Sequence, residues 1–261
     1  MFASTSTALV AAKTNRSVLD IFWKRISTGE VRLLSLSTNG TSGGDRDSKQ
    51  AVLSGDGRYV AFESEALNLA PLDSVSVPAG SFRSVVYLCD TQVPGLIPAS
   101  TPADSLPISV SAHNPSLSKD GRRLAYYTES IDGSGGSIRV VVRENATESI
   151  LWSFETSPLD PPGCRGAREG VQLGADGNWV TFFNPQPQHI TVPQVHQFSP
   201  ERDLVSSNAL VLCSPLTLAT TRHRIAFETP FQINVWDLDE GTVSTNRLKP
   251  LLPPTPTWAS W

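Results

Sequence analysis

Cysteine and methionine are scarce in this chain, and long apolar runs are missing. There are three cysteines and one methionine. Cys89, Cys164 and Cys213 are far apart, odd in number and without a C-x-x-C pair, which argues against a disulfide scaffold and a structural zinc site. Cys89, in Val85-Val86-Tyr87-Leu88-Cys89, and Cys213, in Leu210-Val211-Leu212-Cys213, lie in apolar strand-like runs and read as buried thiols. No stretch approaches the roughly 18 apolar residues of a membrane-spanning helix. Residues 1–10 have neither a charged start nor a long apolar centre, so no signal peptide is visible. Charge is nearly balanced, 21 basic against 25 acidic residues. Basic groups stay as short as Arg222-His223-Arg224, and the absence of a basic stripe disfavours nucleic acid as a partner.

Helical patterning is lacking too. Twenty prolines and 18 glycines punctuate the chain, and apolar residues alternate at period two. What is present is one repeated phrase. It reads Val52-Leu53-Ser54-Gly55-Asp56-Gly57-Arg58-Tyr59-Val60-Ala61-Phe62, then Ser116-Leu117-Ser118-Lys119-Asp120-Gly121-Arg122-Arg123-Leu124-Ala125-Tyr126. It returns as Val171-Gln172-Leu173-Gly174-Ala175-Asp176-Gly177-Asn178-Trp179-Val180-Thr181-Phe182. Asp-Gly between alternating runs is a hairpin signal, and a tight two-residue turn would place both residues at positive φ. Further strands are expected at Val85–Asp90, Ile138–Arg143, Arg224–Glu228 and Ile233–Leu238. Four strands recurring every ~40–60 residues describe a propeller blade.

The ends set the phase. Phe2-Ala3-Ser4 matches Phe62-Glu63-Ser64, while Asp20–Lys24 and Glu30–Ser35 read as third and fourth strands, so the chain begins at a second strand. Pro254-Thr255-Pro256-Thr257-Trp258-Ala259-Ser260-Trp261 reads as a first strand. The expectation is an all-β chain forming a single β-propeller domain over residues 1–261. It has about five four-stranded blades, closed by pairing the C-terminal strand, through Trp258, beside Phe2. Hairpin blades are expected at 50–100, 113–155 and 168–205 and a degenerate one at 208–252, with Gln186–Val192 and Ser199–Asn208 as long loops.

Segment 2–64 resembles the TolB-like propeller repeat, a WD-like, Pro-Asp family whose signature is Pro-x-apolar-Ser-x-Asp-Gly-x-apolar-Ala-Phe. Asn114-Pro115-Ser116-Leu117-Ser118-Lys119-Asp120-Gly121 fits it with the proline in place. The resemblance is strongest up to Asn145 and weak from Phe183, and it marks fold better than function. It implies an exported protein, despite the lack of a visible leader, and a propeller whose partner docks on one face across the channel mouth. Many relatives carry an Asp-rich loop before the third strand. Here Lys13 replaces the leading acid of Ala12–Asp20, and in the next blade Leu72-Asp73-Ser74 stands apart from the third strand. Calcium needs six or more oxygen ligands with several carboxylates, so no bound ion or other cofactor is expected.

Asp56, Asp120 and Asp176, each before Gly57, Gly121 or Gly177, read as structural turn residues whose carboxylates cap the turn backbone. The histidines are His113, His189, His196 and His223, with no H-x-x-x-H or H-E-x-x-H spacing. His113 precedes a first strand, and His196 would lie comparably if 196–205 formed one. Those two are the channel candidates for a metal, by resemblance to TolB-like lyases of acidic oligosaccharides. No α/β-hydrolase peptidase domain is expected within the chain, which lacks the strand-to-helix context that a nucleophile elbow needs. Asp132-Gly133-Ser134-Gly135-Gly136-Ser137 lacks Gly-Lys-Ser/Thr and reads as a hairpin loop rather than a phosphate cradle. Trp23, Trp179 and Trp236 are expected to fill blade-to-blade contacts.

The reading is a non-enzymatic, monomeric interaction module binding a protein or glycan. Two alternatives are a propeller polysaccharide lyase or hydrolase with a channel metal, and the regulatory propeller of a larger peptidase or surface protein. Asn15-Arg16-Ser17, Asn39-Gly40-Thr41 and Asn145-Ala146-Thr147 are sequons that matter in a secretory route alone.

Overall fold

The computed structural model describes residues 1–14, 17–69, 84–100, 110–130, 137–156, 171–186, 190–205, 216–219, 223–229 and 232–247. These residues form five antiparallel sheets and no helix. The first sheet has three strands, β1 (Phe2–Ser4), β2 (Asp20–Lys24) and β3 (Val31–Leu33). The second holds β4 (Ser48–Leu53), β5 (Tyr59–Ser64), β6 (Val85–Asp90) and β7 (Ile97–Pro98). The third holds β8 (Val110–Leu117), β9 (Arg123–Ser130), β10 (Ser137–Glu144) and β11 (Ser149–Thr156). The fourth holds β12 (Gln172–Leu173), β13 (Trp179–Gln186), β14 (Ile190–Phe198) and β15 (Glu201–Val205). The fifth holds β16 (Leu216–Ala219), β17 (Arg224–Thr229), β18 (Gln232–Asp237) and β19 (Thr242–Arg247).

The apolar-small-aromatic ending of each repeated phrase has a packing cause. Side chains alternate across a strand, and these second strands are buried on both faces. Val60 and Phe62 of β5 pack with Ile21 and Leu34 of the first sheet, while Ala61 between them turns to Leu124 and Tyr126 of the third. Ala125 and Tyr127 then face Val180 and Phe182 of the fourth sheet, and Trp179 faces Ile225 and Trp236 of the fifth. A small residue beside an aromatic lets neighbouring sheets interlock face to face. The first strands β4, β8, β12 and β16 lie next to one another in series, which puts them on the axis side and the last strands at the rim. Trp179 and Trp236 fill an inter-sheet core, as expected of them.

Two expectations on local structure are corrected. Gly57, Gly121 and Gly177 have φ of 76°, 69° and 71°, but the aspartates before them do not share the left-handed region. Each aspartate instead accepts, on Oδ1, the N–H two residues ahead: Arg58 at 3.0 Å, Arg122 at 3.0 Å and Asn178 at 2.9 Å. That bond is made at ordinary φ, so the turn needs one left-handed residue rather than two. The second correction concerns the fourth sheet. Loops were expected at Gln186–Val192 and Ser199–Asn208, but residues 190–192 belong to β14, which pairs along β13, and Glu201–Val205 pairs back on β14. Backbone pairing overrides a polar, proline-bearing composition there. The closing strand at 254–261, Cys164, Cys213, His189, Leu72-Asp73-Ser74, Asn15 and 132–136 lie outside the described residues.

Candidate functional site

Antiparallel order gives the stack of sheets two ends. One carries the first-to-second and third-to-fourth turns. The other carries the second-to-third connections and the passages between sheets.

At the first end the repeated turns are joined to one another. Gly55 N–H donates to the Lys119 carbonyl at 2.8 Å, and Lys119 N–H donates to the Ala175 carbonyl at 2.8 Å. Gly55, Lys119 and Ala175 hold the same place in successive turns, so the bonds run from sheet to sheet along the axis. A Cβ on Gly121 would overlap the Tyr59 ring of the preceding sheet, and one on Gly177 would lie 3.2 Å from Ser118 Cβ. Arg123 Nη1 donates to the Gly177 carbonyl at 2.6 Å. His223 continues the series, its Nε2 lying 3.5 Å from Asp176 and its Nδ1 3.2 Å from Asp239. Asp56, Asp120 and Asp176 are therefore occupied in holding turns that hold each other. Ser54 and Ser118 hydroxyls also donate to Asp56 and Asp120, and Asp56 lies below the ordinary carboxylate value chiefly through the Ser54 bond.

At the other end the first strands begin, and ionisable side chains meet. β4 and β8 are bulged at equivalent residues, Gln50 and Asn114, both with φ of 51°. The bulge turns the Asn114 N–H toward Glu63 Oε2, at 3.1 Å, and brings His113 Nδ1 to 3.4 Å from the same oxygen. Lys49 Nζ lies 3.6 Å from Glu63 Oε1 and 3.5 Å from Glu65 Oε1. Glu63 is buried, whereas Lys49, Glu65 and His113 keep 45%, 29% and 24% of their side chains exposed. Burial pushes the Glu63 carboxyl up. The bonds from His113 and Asn114, helped by the His113 and Lys49 fields, outweigh it and leave the group below its ordinary value. The His113 ring rests on Tyr127, 5.4 Å between centroids.

His113 lies within the first strand β8, which starts earlier than expected, at Val110. His196 does not: β14 is a third strand, and His196 is buried with its ring stacked on Trp152 at 4.4 Å and Nδ1 2.8 Å from Asp203. The pair β14–β15 takes up the residues that a first strand at 196–205 would need. The two channel candidates are held in different surroundings, and among the described residues no three His, Cys, Asp or Glu side chains are placed to share a metal. Sequence reasoning missed Glu63 and Lys49; the signal was charge at inward positions of strands otherwise apolar.

The loop before β2 also resolves into geometry. Lys13 Nζ, fully buried, lies 2.7 Å from Asp20 Oδ2 and donates to the Val18 carbonyl at 2.6 Å. Ser35 Oγ and Gly44 N–H bind the other Asp20 oxygen. The ammonium of the chain itself lies where the acidic loop closes on Asp20. Cys89 is a buried free thiol, pushed up to about 11 by burial. No helix among the described residues is long and apolar enough to cross a membrane.

No protein-family model matches the sequence, and no curated protein matches it. Solved structures do. An acylaminoacyl peptidase from Pyrococcus horikoshii is 12% identical with a TM-score of 0.52, over 87% of this chain and 34% of that one. Prolyl oligopeptidase B from Galerina marginata is 12% identical with a TM-score of 0.51, over 90% and 35%. A putative TolB from Agrobacterium tumefaciens is 14% identical with a TM-score of 0.47, over 83% and 69%. The likeness is one of fold, and the chain spans about a third of the peptidases it matches. The described residues are all-β, in successive antiparallel sheets as in a β-propeller.

Proposed function

We propose that this propeller is a non-enzymatic interaction module whose partner, a protein, docks on the end bearing Lys49, Glu63, Glu65 and His113. The observation that carries the reading is the division of labour between the two ends. The turns at one end spend their polar groups on each other. The connections of greatest length, residues 5–19, 34–47, 65–84, 99–109, 157–171 and 206–215, all belong to the opposite end. Binding residues concentrate on loops set on a rigid scaffold, which favours that end. Lys49 and Glu65, of opposite charge and reached by solvent, and the polar ring of His113 suit a polar protein surface and provide specificity through charge matching. His196 turned into sheet packing gives a channel-metal lyase less support.

We extend the reading to the ring itself: residues 254–261 pair on β1, whose sheet has three strands where the others have four, and seal five blades into one domain. A photo-crosslinking residue in place of Lys49 or Glu65, or of Arg122 at the turn end, tests the face. The expected result is one protein captured from extracts of the source cells at positions 49 and 65, competed by unmodified protein, with none at 122. Capture at 122 alone overturns the assignment. So does turnover of an acidic oligosaccharide that His113→Ala abolishes.

A further inference from the structure

A cleft of about 490 Å³ lies between the first two sheets, bordered by β3, by the 34–47 connection and by the turn at Val93–Leu96. That size lies within the range of specific ligand sites. Its floor is apolar and buried: Leu34, Leu69 and the Cys89 thiol. Leu36 and Leu96 form the flanks, and Val93, 55% exposed, stands at a lip open to solvent. One charge borders it. Arg32, on β3, reaches across to donate from Nη1 to the Thr91 carbonyl at 2.6 Å and faces no carboxylate among the described residues. A guanidinium has five N–H donors in a fork that matches a carboxylate, so most of this one's capacity is unspent among the described residues.

We propose that this cleft is a second binding site, taking a short extended peptide that places leucine-type side chains on the floor and an acidic residue against Arg32. The charge of Arg32 requires an anionic group, and the leucine lining requires apolar side chains within reach of it. A chain laid along an open lip fits this shape better than an acyl tail, which needs an enclosed tunnel to leave water. The site borders the 34–47 connection of the end assigned above but includes none of Lys49, Glu63, Glu65 and His113, so variants at Arg32 and Val93 test it apart from that face.

The test is fluorescence anisotropy with a panel of short fluorescein-labelled peptides carrying two leucines and one aspartate at varied spacing, each paired with its asparagine form. At least one aspartate peptide is expected to bind saturably, and its asparagine form about tenfold more weakly, since charge-assisted bonds are the strong ones. Arg32→Gln should weaken the aspartate peptide about tenfold and erase the difference between the forms. Val93→Glu, on the exposed lip where folding does not depend on it, should weaken the aspartate form more than the asparagine form. That variant carries the comparison should Arg32→Gln fail to fold. Absence of saturable binding across the panel overturns the proposal, as does equal binding of the two forms. Saturable binding of dodecanoate without any peptide binding assigns the cleft to an acyl chain and overturns it too.

Discussion

Lys13 and Asp20 form an ion pair with no exposed surface on either side chain. Burying two charges is costly, and breaking such a pair strands the survivor. Lys13→Met should therefore cost about 3–5 kcal/mol, read as a lower urea midpoint at unchanged slope. A loss below about 1 kcal/mol would mean that water reaches Asp20. Two other groups set pH limits. Glu63 is held below its ordinary 4.5, so its ionised form stabilises the fold above that value and the contribution is lost as pH falls through the depressed value. Wild type should lose more stability on acidification than Glu63→Gln, and equal losses would contradict the Glu63–His113 geometry. Cys89 runs the other way: a thiol raised from 9.0 to about 11 stabilises fully below 9.0 and stops doing so as pH climbs to about 11. At pH 9.0 its alkylation, followed by mass spectrometry, should be far slower in folded than in unfolded protein.

Among the elements, the Asp-Gly hairpin is the one most legible in sequence, because its chemistry is local: a glycine for the left-handed residue and a carboxylate to cap the next amides. What the turns do to each other was not legible, since the Gly55–Lys119–Ala175 bonds join equivalent residues of successive sheets. The two glycines Gly57 and Gly121 separate these roles. A Cβ on Gly57 meets nothing within 4 Å, while one on Gly121 overlaps Tyr59. Gly57→Ala should cost about 1–2 kcal/mol for the left-handed backbone, and Gly121→Ala distinctly more. Equal losses in urea unfolding would show that the turns do not depend on close approach. β15 was read as a loop because its residues, Glu-Arg-Asp-Leu-Val, are mostly exposed and carry no apolar alternation. His196 was misplaced with it. Lys13 was noticed as a departure from an acidic loop, but its burial depends on Val18, Asp20, Ser35 and Gly44 converging, which spacing alone does not reveal.

For the whole molecule, sheet-to-sheet packing repeats four times with the same alternation, and one end is tied by backbone bonds while the other presents long connections and charge. The succession of four-stranded sheets was legible because the phrase recurs. The candidate binding face was not, since the bulges at Gln50 and Asn114 that gather Lys49, Glu63 and His113 leave no signature in a single sequence. The division into two faces goes with the sealed ring proposed above. β1, three residues long with Phe2 stacked on Phe22 at 5.5 Å, is the edge on which that proposal places the closing strand. Hydrogen exchange at Ala3 and Ser4 tests it, comparing the full chain with one lacking residues 254–261. Slow exchange in the full chain, accelerated about tenfold or more by the deletion, is the expected result. Equally fast exchange in both would contradict the sealed ring.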